Sequence, residues 1–183
     1  MEAKFNPMDH DTPRQDLEVL VRLVRQVSEG NRLWSPIRVL EVGSWAGLST
    51  LALAQPGVQV HCVDHWQGNR GDRLGEVVKR YPPDVPFQIF CSNMGSRLLK
   101  TIFPHRGSSL LFASIWPMPM DLIFIDASHE YEDVANDINA WRPHVRPGGI
   151  LCGHDYGVFA GVTRAADEIG HDGVEGNVWW KCL

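Results

Sequence analysis

Apolar residues along this chain fall into two alternating rhythms. Short apolar-rich runs at Arg38 to Val42, Gln59 to Val63, Phe87 to Cys91, Asp121 to Asp126 and Gly149 to Gly153 read as strands buried on both faces. Between them, apolar residues recur every three or four positions. The clearest such stretch begins at Thr12-Pro13, which has the form of an N-cap followed by proline at the first helical position, and runs to about Glu29. Leu17, Leu20, Val21, Val24 and Val27 share one face of it, and Arg14, Glu18, Arg22 and Arg25 the other. Further helices are predicted near 48–54, 71–80, 96–103, 131–142 and 162–169. In the helix at 131–142, Val134, Ile138 and Trp141 form a core-facing stripe, with Asp133 and Asp137 on the wet face. Strictly alternating strands and helices predict an α/β fold: a doubly wound, Rossmann-like, mostly parallel sheet with helices on both faces.

Two stretches depart from that rhythm. After the last helix only Val174 to Lys181 remains, so the C-terminal strand region is expected to be shortened and a sixth strand vestigial. The run Leu110 to Met120 is longer and more apolar than a connection before the fourth strand requires. It is either an extra core segment over a sheet edge or an exposed patch serving as pocket wall or subunit contact.

Length and composition narrow the class. The 183 residues make one domain, with 1–11 expected to be flexible, 12–30 the N-terminal helix and 38–181 the core. Apolar residues at 44%, charged residues at 21% and a net charge of −5 describe a globular protein and argue against a nucleic-acid partner, since no basic stripe exists to meet phosphates. Neither a signal peptide nor a membrane anchor is visible, so the expectation is a cytoplasmic protein with no membrane partner. Cys62, Cys91 and Cys152 fall in expected strands and read as small buried hydrophobes; Cys182 is the one expected at the surface.

Candidate chemistry starts where the first strand ends. Glu41-Val-Gly-Ser-Trp-Ala-Gly-Leu-Ser49 runs a buried strand through a two-glycine turn into a helix start. Gly43 and Gly47 permit the sharp turn, and the hydroxyls of Ser49 and Thr50 with the first helical amides can meet a carboxylate or phosphate. A dinucleotide-binding turn would place glycine where Trp45 stands, and an indole there obstructs a pyrophosphate. The next strand ends at Asp64, where a carboxylate can accept both hydroxyls of a ribose. His65 beside it also faces the ligand.

From Glu41 to Ser49 the chain resembles the first motif of class I S-adenosylmethionine-dependent methyltransferases, in the form found in catechol O-methyltransferase and its caffeoyl-CoA relatives. The resemblance continues through Asp121-Leu-Ile-Phe-Ile-Asp-Ala-Ser-His-Glu-Tyr-Glu-Asp-Val134, Trp141, Pro147-Gly-Gly149 and Gly153-His-Asp-Tyr156, where it is closest to a family of short methyltransferases. It implies that Glu41, Gly43, Ser44, Trp45, Gly47 and Ser49 line the amino acid end of S-adenosylmethionine, that Asp64 holds the ribose, and that Asn93 and Met94 border the adenine. Asp126 lies close enough to join the cofactor set.

Beyond the fourth and fifth strands stand Asp126, His129, His154 and Asp155, which the alternation places at one sheet edge. Catechol O-methyltransferase has a metal-binding aspartate at the position of Asp126, a lysine base at that of His129 and an Asp-Asn pair at that of His154-Asp155; macrocin-type sugar O-methyltransferases are similar. By that resemblance Asp126 and Asp155, with His154 as third ligand, could hold magnesium or manganese, and His129 would act as base. Alone, Asp126 could instead cap the next helix and His154 could be an ordinary core histidine. The resulting expectation is O-methylation of a small-molecule hydroxyl by a homodimer or larger assembly. The rivals are a non-catalytic S-adenosylmethionine-binding protein, which has no need of Asp126, His129 and Asp155 together, and a nicotinamide-dependent oxidoreductase, which Trp45 disfavours.

Overall fold

A computed structural model of the chain describes residues 12–30, 36–69, 76 and 78–183. The expected flexible segment 1–11 and most of the helix expected at 71–80 lie outside the described residues. Arg14–Gly30 forms α1, and Ile37–Val42 forms β1. Leu48–Leu53 is α2, Val58–Asp64 is β2 and Val85–Met94 is α3. Ile102–Arg106 is β3, Ser109–Ile115 is α4 and Met120–Ile125 is β4. The chain finishes with α5 (Tyr131–Trp141), β5 (Val145–Gly153), α6 (Ala160–Ile169), β6 (Gly173–Glu175) and β7 (Val178–Cys182).

The seven strands form one sheet in the order β3-β2-β1-β4-β5-β7-β6. The first five are parallel, and β7 runs antiparallel between β5 and β6. Strand order reverses between β1 and β4, because the chain winds outward from β1 to β3 and then returns to β1's other edge. Side chains of α1, α2 and α3 fill one face of the sheet, around Leu20, Leu53 and Phe90. Those of α4, α5 and α6 fill the other, around Ala113, Trp141 and Val162. The register sets Val42 beside both Val63 and Ile125, and Ile125 beside Gly153. Gly43, Asp64, Asp126 and His154, the next residues or the last ones of those strands, therefore share one edge.

Several expectations need correction. Phe87 to Cys91 is helical: Pro86 sits in the first turn of α3, and Phe90 and Met94, one turn apart, are buried against the sheet, so the local run mimicked a strand. Cys91 accordingly lies on a helix. The expected helix at 96–103 is a short 3-10 turn at Gly95–Arg97, a left-handed Leu99, and then the start of β3. β3 is an edge strand, which is why it tolerates Pro104, a residue with no amide hydrogen to donate to a ladder. The C-terminal hairpin is present, though short: β6 and β7 flank Gly176-Asn177 and complete the sheet.

The run from Leu110 to Met120 divides. Ala113 is buried, while Leu110, Leu111 and Ile115 stand exposed on α4. Trp116 packs edge-on against Trp141, their ring centroids 5.5 Å apart. On α5 the expected stripe of Val134, Ile138 and Trp141 is buried, but so is Asp137, which accepts a 2.6 Å hydrogen bond from the Ser109 hydroxyl. Burial pushes its carboxyl up to about 6. On α1 the buried stripe is Asp16, Val19, Leu20, Leu23, Val24 and Val27, with Leu17 and Val21 half-buried at its flank.

Candidate functional site

The first cluster sits at the tips of β1 and β2. Gly43 and Gly47 both adopt positive φ, and a Cβ on Gly43 would overlap the Asp126 carbonyl, so the turn after β1 is pressed directly onto the end of β4. A Cβ on Gly47 would collide with the Met94 side chain, so that glycine makes room for packing from below. Asp64 clamps the turn: its Oδ2 accepts from the Trp45 amide at 2.8 Å and its Oδ1 from the Trp66 amide at 2.6 Å. Each carboxylate oxygen has a second lone pair, so the pair can still take ribose hydroxyls. Trp45 is left-handed at φ 42, and its carbonyl accepts from the Trp66 indole at 2.7 Å. Its amide, committed to Asp64, is not presented to a phosphate.

Glu41 is fully buried beneath this turn and accepts a hydrogen bond from the Thr50 hydroxyl. Its Oε1 and the neighbouring Ser44 hydroxyl are buried with no hydrogen-bond partner among the described residues. Burial, opposed by the nearby hydroxyls of Ser49, Thr50 and Ser44, pushes the Glu41 carboxyl up to about 7. Two orphaned polar atoms under a glycine turn are the feature that a ligand's donors would complete. Ser49 is buried beside Glu41 and does not face outward at the helix start.

Three expected residues serve this turn indirectly. Asn93 donates to the Ala46 carbonyl at 2.9 Å and Met94 packs against Gly47, so both buttress the turn from α3. His65 is exposed; its Nδ1 accepts from the Gln67 amide at 3.0 Å and lies 3.7 Å from Asp64 Oδ1. The residues that do flank Asp64 at the strand tips are Arg106, its register partner, and Gly107, whose amide donates to the Asp64 carbonyl at 2.9 Å. Gly107 and Ser108 went unrecognised because β3 was expected one element too early. A strand running into Gly-Ser-Ser before a helix repeats the grammar of the turn after β1 and is the signal that finds them.

The second cluster sits at the tips of β4 and β5. The amide of Asp126 donates to the Val42 carbonyl at 2.8 Å and that of His154 to the Ile125 carbonyl at 3.1 Å, so the strand ladder itself fixes where these side chains begin. His154 Nδ1 lies 3.2 Å from Asp155 Oδ1 and 3.8 Å from Asp126 Oδ1; its Nε2 lies 2.9 Å from Asp16 Oδ2. His129 Nε2 is 3.0 Å from Asp155 Oδ2, and its ring stacks flat on Phe159 at 4.0 Å. One ligand atom each from Asp126, His154 and Asp155 fall within 4.8 Å of one another. Asp126, His129, His154 and Asp155 thus converge as expected, and Asp155 holds a left-handed φ of 64 to reach both imidazoles.

Electrostatics follow from this crowding. Burial, with Asp155 nearby, pushes the Asp126 carboxyl up to about 6 against the pull of His154. Burial would also lower His154, but its hydrogen bond to Asp155 and the Asp126 charge raise it to about 9. Burial works to raise Asp155 as well, and hydrogen bonds from His129 and His154 hold it well below the usual carboxylate range. Asp16 was not foreseen as part of this cluster. The readable signal is a carboxylate at the head of an otherwise apolar stripe on α1.

The two clusters are joined by the contact of Gly43 with Asp126 and by Asn69, which reaches from beyond β2 to donate to the Ala127 carbonyl at 2.6 Å. Trp66 is fully buried against Phe87 and Phe90, which makes it a packing residue beneath the turn.

Comparison with known proteins places the fold. Residues 40–156 match a family model described as "Methyltransferase domain". The uncharacterized protein y4gI of Sinorhizobium fredii is 26% identical over 130 residues; the match takes in 66% of this chain and 13% of that much longer protein. Among solved structures, the O-methyltransferase NovP superposes with a TM-score of 0.68 at 18% identity, covering 92% of this chain and 79% of that one. The O-methyltransferase from Bacillus cereus in complex with S-adenosylhomocysteine gives 0.66 at 17% identity, covering 96% and 84%. At these identities the likeness is one of fold.

Proposed function

This chain belongs to the methyltransferase-domain family matched over residues 40–156; on that premise we propose that it is an S-adenosylmethionine-dependent methyltransferase that methylates a hydroxyl group of a small-molecule acceptor. The observation that carries the reading is the abutment of the two clusters, one with orphaned buried acceptors and the other with an imidazole held by a carboxylate. The cofactor fits the first cluster. Glu41 Oε1 would accept from its ammonium, the Ser44 hydroxyl would donate to its carboxylate, and Asp64 would accept from its ribose hydroxyls. Gly107, whose amide donates to the Asp64 carbonyl, and Ser108 after it join Asn93 and Met94 as candidates for the adenine-facing residues.

The cofactor supplies a methyl group on a sulfonium, an electrophile that needs a nucleophile in line and a place for one proton. His129 takes the proton from the acceptor hydroxyl as its oxygen attacks, and Asp155, accepting from Nε2, stabilises the imidazolium that results. Phe159 stacks on the ring and fixes its plane. Asp126, Asp155 and His154 would hold a magnesium or manganese ion: two carboxylates and an imidazole at mutually short range are a donor set that fits either. Held there, such an ion would supply Lewis acidity that lowers the pKa of a nearby acceptor hydroxyl.

Panels of hydroxylated acceptors, scored for S-adenosylhomocysteine release, test the reaction. A product methylated on nitrogen or carbon would replace the hydroxyl assignment. Chelator is expected to abolish turnover while leaving cofactor binding intact; turnover unchanged by chelator leaves a histidine base without a metal. The exposed Leu110, Leu111 and Ile115 on α4 support self-association through that helix, and a monomer by light scattering at high concentration would remove it.

A further inference from the structure

Asp16 lies in the first turn of α1, far in sequence from the strand tips, and is 1% exposed. A buried carboxylate at the head of an apolar stripe is costly unless it is hydrogen-bonded, and this one has three donors. His154 Nε2 approaches Oδ2 at 2.9 Å, while the Asn177 amide and side-chain NH2 donate at 3.1 and 3.2 Å. Asn177 belongs to the turn between β6 and β7. The neighbouring Gly176 has positive φ, and a Cβ there would overlap Asp16 Oδ1, so the hairpin is shaped around this carboxylate.

We propose that Asp16 is the positioning residue for His154, fixing its tautomer so that Nδ1 joins Asp126 and Asp155 as the third donor to a divalent cation. This rests on the metal-assisted reading above. A carboxylate only accepts hydrogen bonds, so the ring nitrogen facing Asp16 must carry a hydrogen. Nδ1 faces Asp155 and Asp126 and without a cation donates to Asp155, so a cation takes the place of that hydrogen while Asp16 keeps the one on Nε2 and leaves Nδ1 as the donor. Metal-ligating histidines characteristically give their second N–H to a carboxylate or carbonyl, which orients the ring and makes its other nitrogen a better donor. Here that partner comes from the N-terminal helix, and the C-terminal hairpin holds the partner in place. The cation site thereby extends to both ends of the chain, beyond the strand tips that carry its ligands.

The test is Mn²⁺ titration of the full chain by calorimetry, comparing wild type with Asp16→Asn, and with Gly176→Ala, which displaces the carboxylate without removing its charge. Asp16→Asn is expected to weaken Mn²⁺ binding about 10- to 100-fold, the usual effect of losing an outer-shell partner, while S-adenosylhomocysteine affinity stays within twofold. A merely structural role would lower the melting temperature and leave Mn²⁺ affinity alone. Nitrogen NMR of His154 in the Mg²⁺-saturated wild type is expected to show a protonated Nε2 and a bare Nδ1. Unchanged Mn²⁺ affinity in folded Asp16→Asn, or a protonated Nδ1 with Mg²⁺ saturating, overturns the proposal while the metal reading stands. A wild type that binds no Mn²⁺ at millimolar ion removes both, and S-adenosylhomocysteine titration of the same sample separates that outcome from a failure of the methyltransferase reading.

Discussion

The tips of β1 and β2 and the tips of β4 and β5 share one sheet edge, yet they treat their carboxylates in opposite ways. Glu41 and Asp64 are met by neutral donors: the Thr50 hydroxyl and the amides of Trp45 and Trp66. Asp126 and Asp155 face imidazoles. The first pair has no cationic partner among these donors, with Glu41 pushed up to about 7 by burial; in the second, two imidazoles hold Asp155 well below the usual carboxylate range, His154 is raised to about 9, and Asp126 is pushed up to about 6 by burial against the pull of His154. Polar groups that await a cationic donor suit a ligand with an ammonium and a diol. Paired carboxylates and imidazoles suit moving a proton or holding a metal. One edge is thereby divided into a binding half and a reacting half, and variants in each should separate binding from turnover.

The largest separation is expected at His129. His129→Ala should lower kcat by about 10²- to 10⁴-fold, the usual contribution of a positioned base, while leaving S-adenosylhomocysteine affinity unchanged by calorimetry. Loss of affinity and turnover together would merge the two halves.

Glu41 gives a pH signature to the binding half. Its folded-state carboxyl keeps a proton up to about pH 7, whereas the unfolded chain releases it near 4.5, so between these values the unfolded state binds fewer protons. Stability conferred by the buried neutral form is therefore full below about 4.5 and falls by about 3 kcal/mol as pH rises through 7. Urea denaturation of Glu41→Gln against wild type isolates the effect: the variant should lack that slope. Saturating S-adenosylhomocysteine, whose ammonium favours the charged form, should flatten it in the wild type as well. Parallel curves for the two proteins would mean that Glu41 is already ionised in the free chain.

A smaller effect is expected at Asp64. Asp64→Ala should weaken S-adenosylhomocysteine by about 1–3 kcal/mol through loss of charge-assisted hydrogen bonds, with turnover at saturating cofactor reduced far less. Unchanged affinity would mean that Asp64 serves only to clamp the turn through Trp45 and Trp66.

Legibility from sequence followed burial. β1, β2, β4 and β5 are central parallel strands, and their nearly unbroken apolar runs announced them within a few residues. β3 lies at an edge, half-exposed, with Pro104 and His105 diluting its pattern, so the apolar Phe87 to Cys91 on α3 was mistaken for it. That single slip left Gly107 and Ser108, which follow β3 beside Asp64, out of the candidate residues. The placement of Glu41, Asp64, Asp126, His154 and Asp155 at or beside the ends of central strands was legible because those strands were, and strand ends are where ligands meet such sheets. Asp16 was invisible because a lone carboxylate on a helix reads as solvated until the partner across 138 residues is known.

The most direct measurement of the central claim is calorimetric titration of the chain with S-adenosylhomocysteine and, separately, with NAD. The account expects one S-adenosylhomocysteine site per chain, lost or weakened in Asp64→Ala, and no heat from NAD, since the Trp45 amide is tied to Asp64 and a tryptophan occupies the position where a dinucleotide-binding turn has glycine. Tight NAD binding with no response to S-adenosylhomocysteine would contradict it.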